Sequence, residues 1–421
     1  MPSHSVLPAF IILLVLALLP VGRSSEAPLI IAAVAGIVMC WRQRDAVWSN
    51  SSVRLCVVIF ACYWLAAFVS APGAVAPGKT WSTVGYLLRF LPFAIFVSMS
   101  LRDAALSARV QAASAAIVLL WLLDAWVQIL TGYSLAGAMA SDRLSGIFGA
   151  GNLKLGPVLA VLSPFVFSAA RRWLGWRGLA LAFVFQLVPI LLAGSRAAWL
   201  MYTLVVLVVL WRETRAPLRF AGWSAALLVV AMISAGVAVH VSGAFDSRVQ
   251  RTLLVLHGNE QSVDAASAGR LRIWGTALRM SAAHPLTGVG VRGFRYAYPD
   301  FADPGDAFID AKTDEGAYHA HQIVLEILGE TGVTGLILWI FGGFWAIRAW
   351  YRASPLARAR AATPGLALIA MTFPLNTHLA FYSAWWGLLF WWLLALYCAA
   401  LSPPPEHASP LPQACLEKRA G

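Results

Sequence analysis

Three residues in this chain have the type and setting for group-transfer chemistry on a charged substrate. Arg196 follows Ala193-Gly194-Ser195 in a very short turn between two long apolar runs, with no acidic neighbour in the turn. A guanidinium at a membrane boundary is costly without a partner. It reads either as a side chain reaching for the headgroups or as a planar, bidentate receptor for phosphate oxygens. Arg270 follows Gly269 at the start of a helical pattern, where the helix dipole disfavours a cation, and it reads as a phosphate ligand or as the partner of Asp264. His321 lies in Tyr318-His319-Ala320-His321-Gln322 at the predicted start of another helix. A helix N-terminus favours the neutral imidazole, which can accept a proton. His319 and His321 also read as metal ligands, but at i and i+2 on a helix two such rings do not converge. A packed histidine is the plain alternative for each.

Other polar residues carry less. Asp300, Asp303, Asp306, Asp310, Asp314 and Glu315 lack the glycine-centred pattern of a calcium loop and read as a solvated face. Arg89 and Asp124 fall inside apolar runs and are expected to pair or line a cavity. No phosphate-loop GxxxxGK[ST] run and no serine elbow is present.

The elements that must hold these residues are membrane helices. Of the 421 residues 60% are hydrophobic and 12% charged, about half the charge of an ordinary soluble chain. The apolar runs approach the roughly 20 residues needed to cross a bilayer as a helix, and the short alternating segments of a barrel are missing. The pattern predicts an all-α polytopic membrane protein with about 12 transmembrane helices. Their positions are near 6–22, 27–41, 53–71, 83–100, 108–131, 151–170, 176–193, 197–211, 219–241, 332–350, 360–379 and 383–401. The first run lacks a basic leader and a cleavage site, so it is expected to be retained.

The net charge of +12 resides in clusters between runs: Arg42, Arg44 and Arg54; Arg102 and Arg109; Arg171, Arg172 and Arg177; Arg212, Arg215 and Arg219; Arg348, Arg352, Arg358 and Arg360; Lys418 and Arg419. Each follows an even-numbered span, which predicts cytoplasmic termini by the positive-inside rule and argues against nucleic-acid binding. Cys40, Cys56, Cys62, Cys398 and Cys415 all fall in spans or on that same side, so neither disulfides nor a zinc site is expected.

The chain then divides into spans 1–9 over 1–241, a large loop domain at 242–331, spans 10–12 over 332–401, and a Pro-rich tail at 402–421. Within the loop, 268–283 reads as a helix with a stripe of Leu271, Trp274, Leu278 and Ala282, while Arg272 and Arg279 occupy its solvent or headgroup face. A second amphipathic helix is expected over 318–330, with Ile323, Ile327 and Glu330 spaced by four and three. The two form a folded cap on the membrane domain.

In this order and topology, three segments resemble the O-antigen ligase and polymerase superfamily: Gly194-Ser195-Arg196-Ala197; Gly269-Arg270 with Trp274, through His284-Pro285-Leu286-Thr287-Gly288-Val289-Gly290 to Phe294; and His321-Gln322-Ile323-Val324-Leu325-Glu326 through Glu330-Thr331-Gly332-Val333-Thr334-Gly335. The middle motif is the most specific. Gln322 departs from the asparagine usual in the family but keeps the amide.

The resemblance implies a glycosyltransferase acting outside the bacterial inner membrane of a Gram-negative cell, on a glycan carried by undecaprenyl diphosphate, without metal or cofactor. A ligase passes the O-antigen to lipid A–core oligosaccharide; a polymerase passes it to another lipid-linked repeat unit. The single dominant loop favours the ligase. An O-linking protein glycosyltransferase remains open, as does a transporter, although few charges lie deep in the spans. On this reading Arg196 and Arg270 clamp the diphosphate and His321 is the general base of an inverting transfer. Lys154, Arg143, Arg292 and Lys312 are secondary candidates for donor or acceptor phosphates, with Gln322 beside the base.

Overall fold

The computed structural model describes residues 6–139, 143–241, 243–253, 267–376 and 380–402. The regular structure in these residues is helical, apart from a two-stranded hairpin that pairs Tyr133 with Ala138. The helices are α1 (Leu7–Ala17), α2 (Glu26–Arg42), α3 (Arg44–Ser49), α4 (Ser51–Val69), α5 (Pro77–Leu87), α6 (Phe90–Ser100), α7 (Ala104–Thr131) and α8 (Leu155–Leu192). There follow α9 (Arg196–Thr214), α10 (Pro217–Val241), α11 (Gly243–Leu253), α12 (Arg270–Ala283), α13 (Phe294–Phe301), α14 (Ile323–Arg352), α15 (Pro355–Thr372) and α16 (Ala384–Leu401). Eight helical stretches among the described residues are long and apolar enough to cross a membrane. The chain is a multi-pass membrane protein.

Helix ends follow local chemistry. Asp103 accepts from the amides of Ala105 and Leu106 to start α7, which Gly132 ends at φ 79°. The 38 residues of α8 form two arms, because Gly175 takes φ 62° and ψ −142°. Phe167 and Phe183 both stack on Tyr202, with centroids 6.0 Å away. A straight helix would hold residues that far apart in sequence about 24 Å from each other. The arms therefore fold back beside α9, as expected for separate runs at 151–170 and 176–193. Another break, at Gly332 of α14 with φ 65° and ψ −170°, separates a cap helix from a membrane helix.

The core is built around α16. Trp391 and Trp392 are fully buried; Trp391 stacks on Phe90 and meets Phe60 and Tyr63 edge-on. At the opposite extreme α10 is the least buried of the long helices: Leu227, Val230, Ala231, Ala235 and Val239 rest on the core, and its outer face is left to lipid.

The expected Arg89–Asp124 pair does not form. Arg89 donates to Glu26 at 2.8 Å and to the Tyr86 carbonyl at 2.6 Å, at the junction of α5 and α6. Asp124 instead accepts from the Leu135 amide at 2.7 Å and ties the hairpin to α7. Each charge has a nearer partner at a helix end, where the freed backbone and Glu26 are available. Hydropathy patterning does not reveal such pairs.

Candidate active site

The turn between α8 and α9 gathers cations on the side of the membrane bundle that carries the cap. Ser195 caps α9 by accepting from the Ala198 amide at 3.4 Å, so Arg196 is the first helical residue. The start of α8 packs against this turn at Gly156, where an added Cβ would lie 3.0 Å from the Ala193 side chain and 3.7 Å from that of Ser195. Lys154, two residues earlier, is half-buried with its Nζ 4.4 Å over the Trp385 ring, and burial lowers its pKa. Leu144 donates to the Leu192 carbonyl at 3.3 Å, which brings the adjacent Arg143 to the same turn.

The cap supplies a further cation from α12. Arg270 is its first residue, after Gly269 at φ 73°. Its pKa is pushed down to about 10, first by burial and then by the nearby charge of Arg196. The two guanidinium groups are thus close enough to repel, and among the described residues no carboxylate lies within ion-pair distance of Arg270. Asp264, the expected alternative partner, lies outside the described residues.

One turn along α12 from Arg270, Trp274 donates its indole N–H to the Ala320 carbonyl at 3.0 Å. Residues four apart share a helix face, so this bond holds the 319–321 segment beside Arg270. His321 follows directly, half-buried at φ 54°. The predicted helix over 318–330 begins later than expected, at Ile323. Gln322 is its N-cap, accepting from the Leu325 amide at 2.6 Å. The longer glutamine amide performs the capping that asparagine would, and His321 stands just before the cap. Because 318–322 is not helical, His319 and His321 do converge, with ring centroids 4.0 Å apart.

The buried face of α12 also differs from the expected stripe. Ile273, Thr276, Ala277 and Met280 are buried, while Leu271 and Leu278 are exposed. Two stripes with helical spacing compete on this helix, and the smaller side chains fit against Phe294 and Tyr298 in the cap core. Arg272 is exposed, and Arg279 binds the Phe301 carbonyl at 2.7 Å and Asp303 at 3.3 Å.

The motif glycines have a physical explanation in the break at Gly332. A helix interrupted there leaves the carbonyls of Gly329 and Glu330 and the amides of Val333 and Thr334 without their helical partners. Segment 285–290 pairs all four. Val289 and Gly290 donate to Gly329 and Glu330 at 2.9 and 3.0 Å, and Val333 and Thr334 donate to Pro285 and Leu286 at 2.8 and 3.3 Å. The two backbones approach so closely that a Cβ at Gly288 would lie 2.4 Å from the Glu330 carbonyl carbon, and one at Gly332 2.3 Å from that of Leu286. Both positions also hold positive φ, 64° and 65°. The same segment reaches the membrane helices, since Val75 donates to the Val289 carbonyl at 2.9 Å and Thr80 to that of Val291 at 3.1 Å.

Sequence reasoning offered Arg292 as a phosphate contact and left Glu326 and Glu330 as helix residues. Both carboxylates are fully buried. Glu326 accepts from the Phe381 amide at 2.7 Å and anchors the connection before α16. Arg292, at φ 62°, lies in the electrostatic reach of both. Two acids in an apolar helix pattern were the available signal. Lys312 is exposed in the acidic loop, away from these contacts. That loop is more built than a solvated face: buried Asp306 accepts from Tyr298 Oη at 2.9 Å and the Phe308 amide at 2.8 Å, and Glu315 pairs with Arg295.

Residues 181–340 match the family described as O-antigen ligase. The matched stretch runs from the second arm of α8 through the cap into α14, and it contains Arg196, Arg270, Arg292, Lys312, His321 and Gln322. The comparison agrees with the superfamily resemblance carried by the three motifs and indicates a glycosyltransferase-like enzyme of O-antigen processing. No curated protein matches the chain.

Proposed function

We propose that the protein is an O-antigen ligase, transferring the glycan from undecaprenyl diphosphate to lipid A–core oligosaccharide on the periplasmic face of the inner membrane. The observation that carries this reading is the juxtaposition of Arg270 with Arg196 across the cap and bundle. Two half-buried cations close enough to repel each other form a site whose electrostatic cost a bound anion offsets. A diphosphate has the charge and the oxygen geometry for two guanidinium forks. Lys154 and Arg143 border the same turn and extend the cationic surface along a substrate.

In the reaction, the anomeric carbon–oxygen bond to the diphosphate breaks and a bond to an acceptor hydroxyl oxygen forms from the opposite face. The configuration at that carbon inverts. Arg196 and Arg270 stabilise the charge arriving on the departing diphosphate oxygen. His321 accepts the hydroxyl proton, and undecaprenyl diphosphate leaves with the bonding electron pair. Trp274 positions the base by holding the Ala320 carbonyl. Placing this chemistry at the periplasmic face rests on the expected topology of about twelve spans with both termini cytoplasmic, which puts the arginine clusters inside.

A second reading, the polymerase, uses the same residues with another lipid-linked repeat unit as acceptor. The single large cap favours the ligase. Purified protein, lipid-linked O-antigen and lipid A–core, mixed with EDTA present, are expected to give a ladder of glycan-bearing lipid A–core. Longer lipid-linked chains without that ladder would establish the polymerase instead.

A further inference from the structure

An apolar cavity of the bundle lies on the side opposite the cap and has no part in the transfer chemistry. It measures about 280 Å³ and opens between the second arm of α8, the end of α9 and the start of α10. Phe167, Leu179, Phe183, Val206, Leu210 and Leu227 line it, and Trp176 and Trp223 stack at 6.0 Å across its edge. Its only charged lining residue is Arg177, which is exposed.

The surroundings of that one charge are lopsided. Arg171, Arg172, Arg177, Arg212, Arg215 and Arg219 crowd the ends of these three helices, against a single carboxylate, Glu213, which Arg171 engages at 2.7 Å. A wholly apolar slot with cations at one end is complementary to an amphiphile with an anionic head and a hydrocarbon chain. A polar metabolite would gain nothing from the walls, and a neutral lipid would gain nothing from the arginines. The position of α10 at the edge of the bundle, with its outer face exposed, leaves lateral entry from the bilayer open.

We infer that this crevice is a binding site for an anionic phospholipid, with one acyl chain between α8, α9 and α10 and the phosphate against Arg177 and its neighbouring arginines. It is separate from the diphosphate site. Arg177 precedes the end of α8 by fifteen residues, or about 22 Å of helix. Assigning the lipid to the cytoplasmic leaflet rests on the topology proposed above; the chemical class of the ligand does not.

The test is native mass spectrometry of the full-length protein in detergent, titrated with phosphatidylglycerol, phosphatidylcholine or undecaprenyl phosphate. Phosphatidylglycerol is expected to be retained at least fivefold more than phosphatidylcholine. Arg177→Glu removes that preference, and Ala180→Trp, which fills the slot, removes retention of the first lipid altogether. Both variants keep wild-type transfer activity, because neither residue touches the cap-side site, so failure of the ligase reading leaves this measurement intact. Equal retention of the two phospholipids, or wild-type retention in both variants, overturns the inference. Displacement of phosphatidylglycerol by undecaprenyl phosphate also overturns it and assigns the slot to the tail of the donor.

Discussion

The two ends of α12 put the same side chain to opposite uses. At its C-terminal half Arg279 is exposed and fully engaged, by Asp303, the Phe301 carbonyl and Thr276 Oγ1. At its N-terminus Arg270 is half-buried and within electrostatic reach of another cation, Arg196, with no described carboxylate in ion-pair reach. An arginine satisfied by its own fold stabilises structure. One held in a repulsive, desolvated position stores a cost that only a ligand relieves, and such positions mark functional sites. The contrast teaches that location relative to partners separates the two roles, since residue type and helix are shared.

Substitutions that break the comparison should rank accordingly. His321→Ala is expected to lower the transfer rate about 10²–10⁴-fold, the usual worth of a positioned base, with the protein still inserted in the membrane. An unaltered rate in the ladder assay would remove the base from the mechanism. Arg270→Ala should cost about 10²–10³-fold in rate, as loss of one charge-stabilising donor does, whereas Arg279→Ala stays within severalfold of wild type. Equal losses at the two arginines would erase the distinction drawn here.

The comparison sharpens in stability and pH. Burial and the charge of Arg196 push the Arg270 guanidinium down to about 10, well below its ordinary value. The unfolded chain therefore binds this proton more tightly, so Arg270 subtracts stability at every pH below about 10. That penalty fades only as pH rises above 10 toward the ordinary arginine range. Arg270→Gln should accordingly raise the melting temperature of the ligand-free protein while abolishing most transfer. Pyrophosphate should stabilise wild type but not Arg270→Gln; a variant that melts lower and still responds to pyrophosphate contradicts the anion-site account.

The smallest effect on chemistry and the clearest on folding belongs to the clamp. Gly332→Ala places a Cβ against the Leu286 backbone at a positive φ, and four backbone hydrogen bonds, two of them between buried residues, depend on that approach. Each orphaned group costs about 1–3 kcal/mol, so the cap should melt or become protease-sensitive well before the membrane helices. A variant with wild-type proteolysis would show that the two backbones can separate without loss.

Much of this was legible from composition and motif. The apolar runs map onto helices, and the arginines of the first two motifs, with the histidine of the third, fall on elements that the fold brings together. Other features depended on neighbours distant in sequence. Arg89 chose Glu26 over Asp124 because a helix junction placed it there. The buried stripe of α12 was set by Phe294 and Tyr298 across the cap, which periodicity does not reveal. The start of α14 moved to Ile323 because Gln322 caps it, and that freed His321 and His319 to come within 4.0 Å.

By itself, then, the sequence determined a many-helix membrane protein with a cap, and nominated Arg196, Arg270 and His321 as its chemistry. Those conclusions rest on local properties, namely hydropathy over a run, charge at a boundary, and a residue's own titration. Tertiary structure alone decided that Arg196 and Arg270 face each other, and that segment 285–290 completes the broken backbone at Gly332. It also decided that Arg292 lies beside two buried carboxylates. Each is an interaction between groups far apart along the chain, and its energy depends on a separation that only the folded packing fixes.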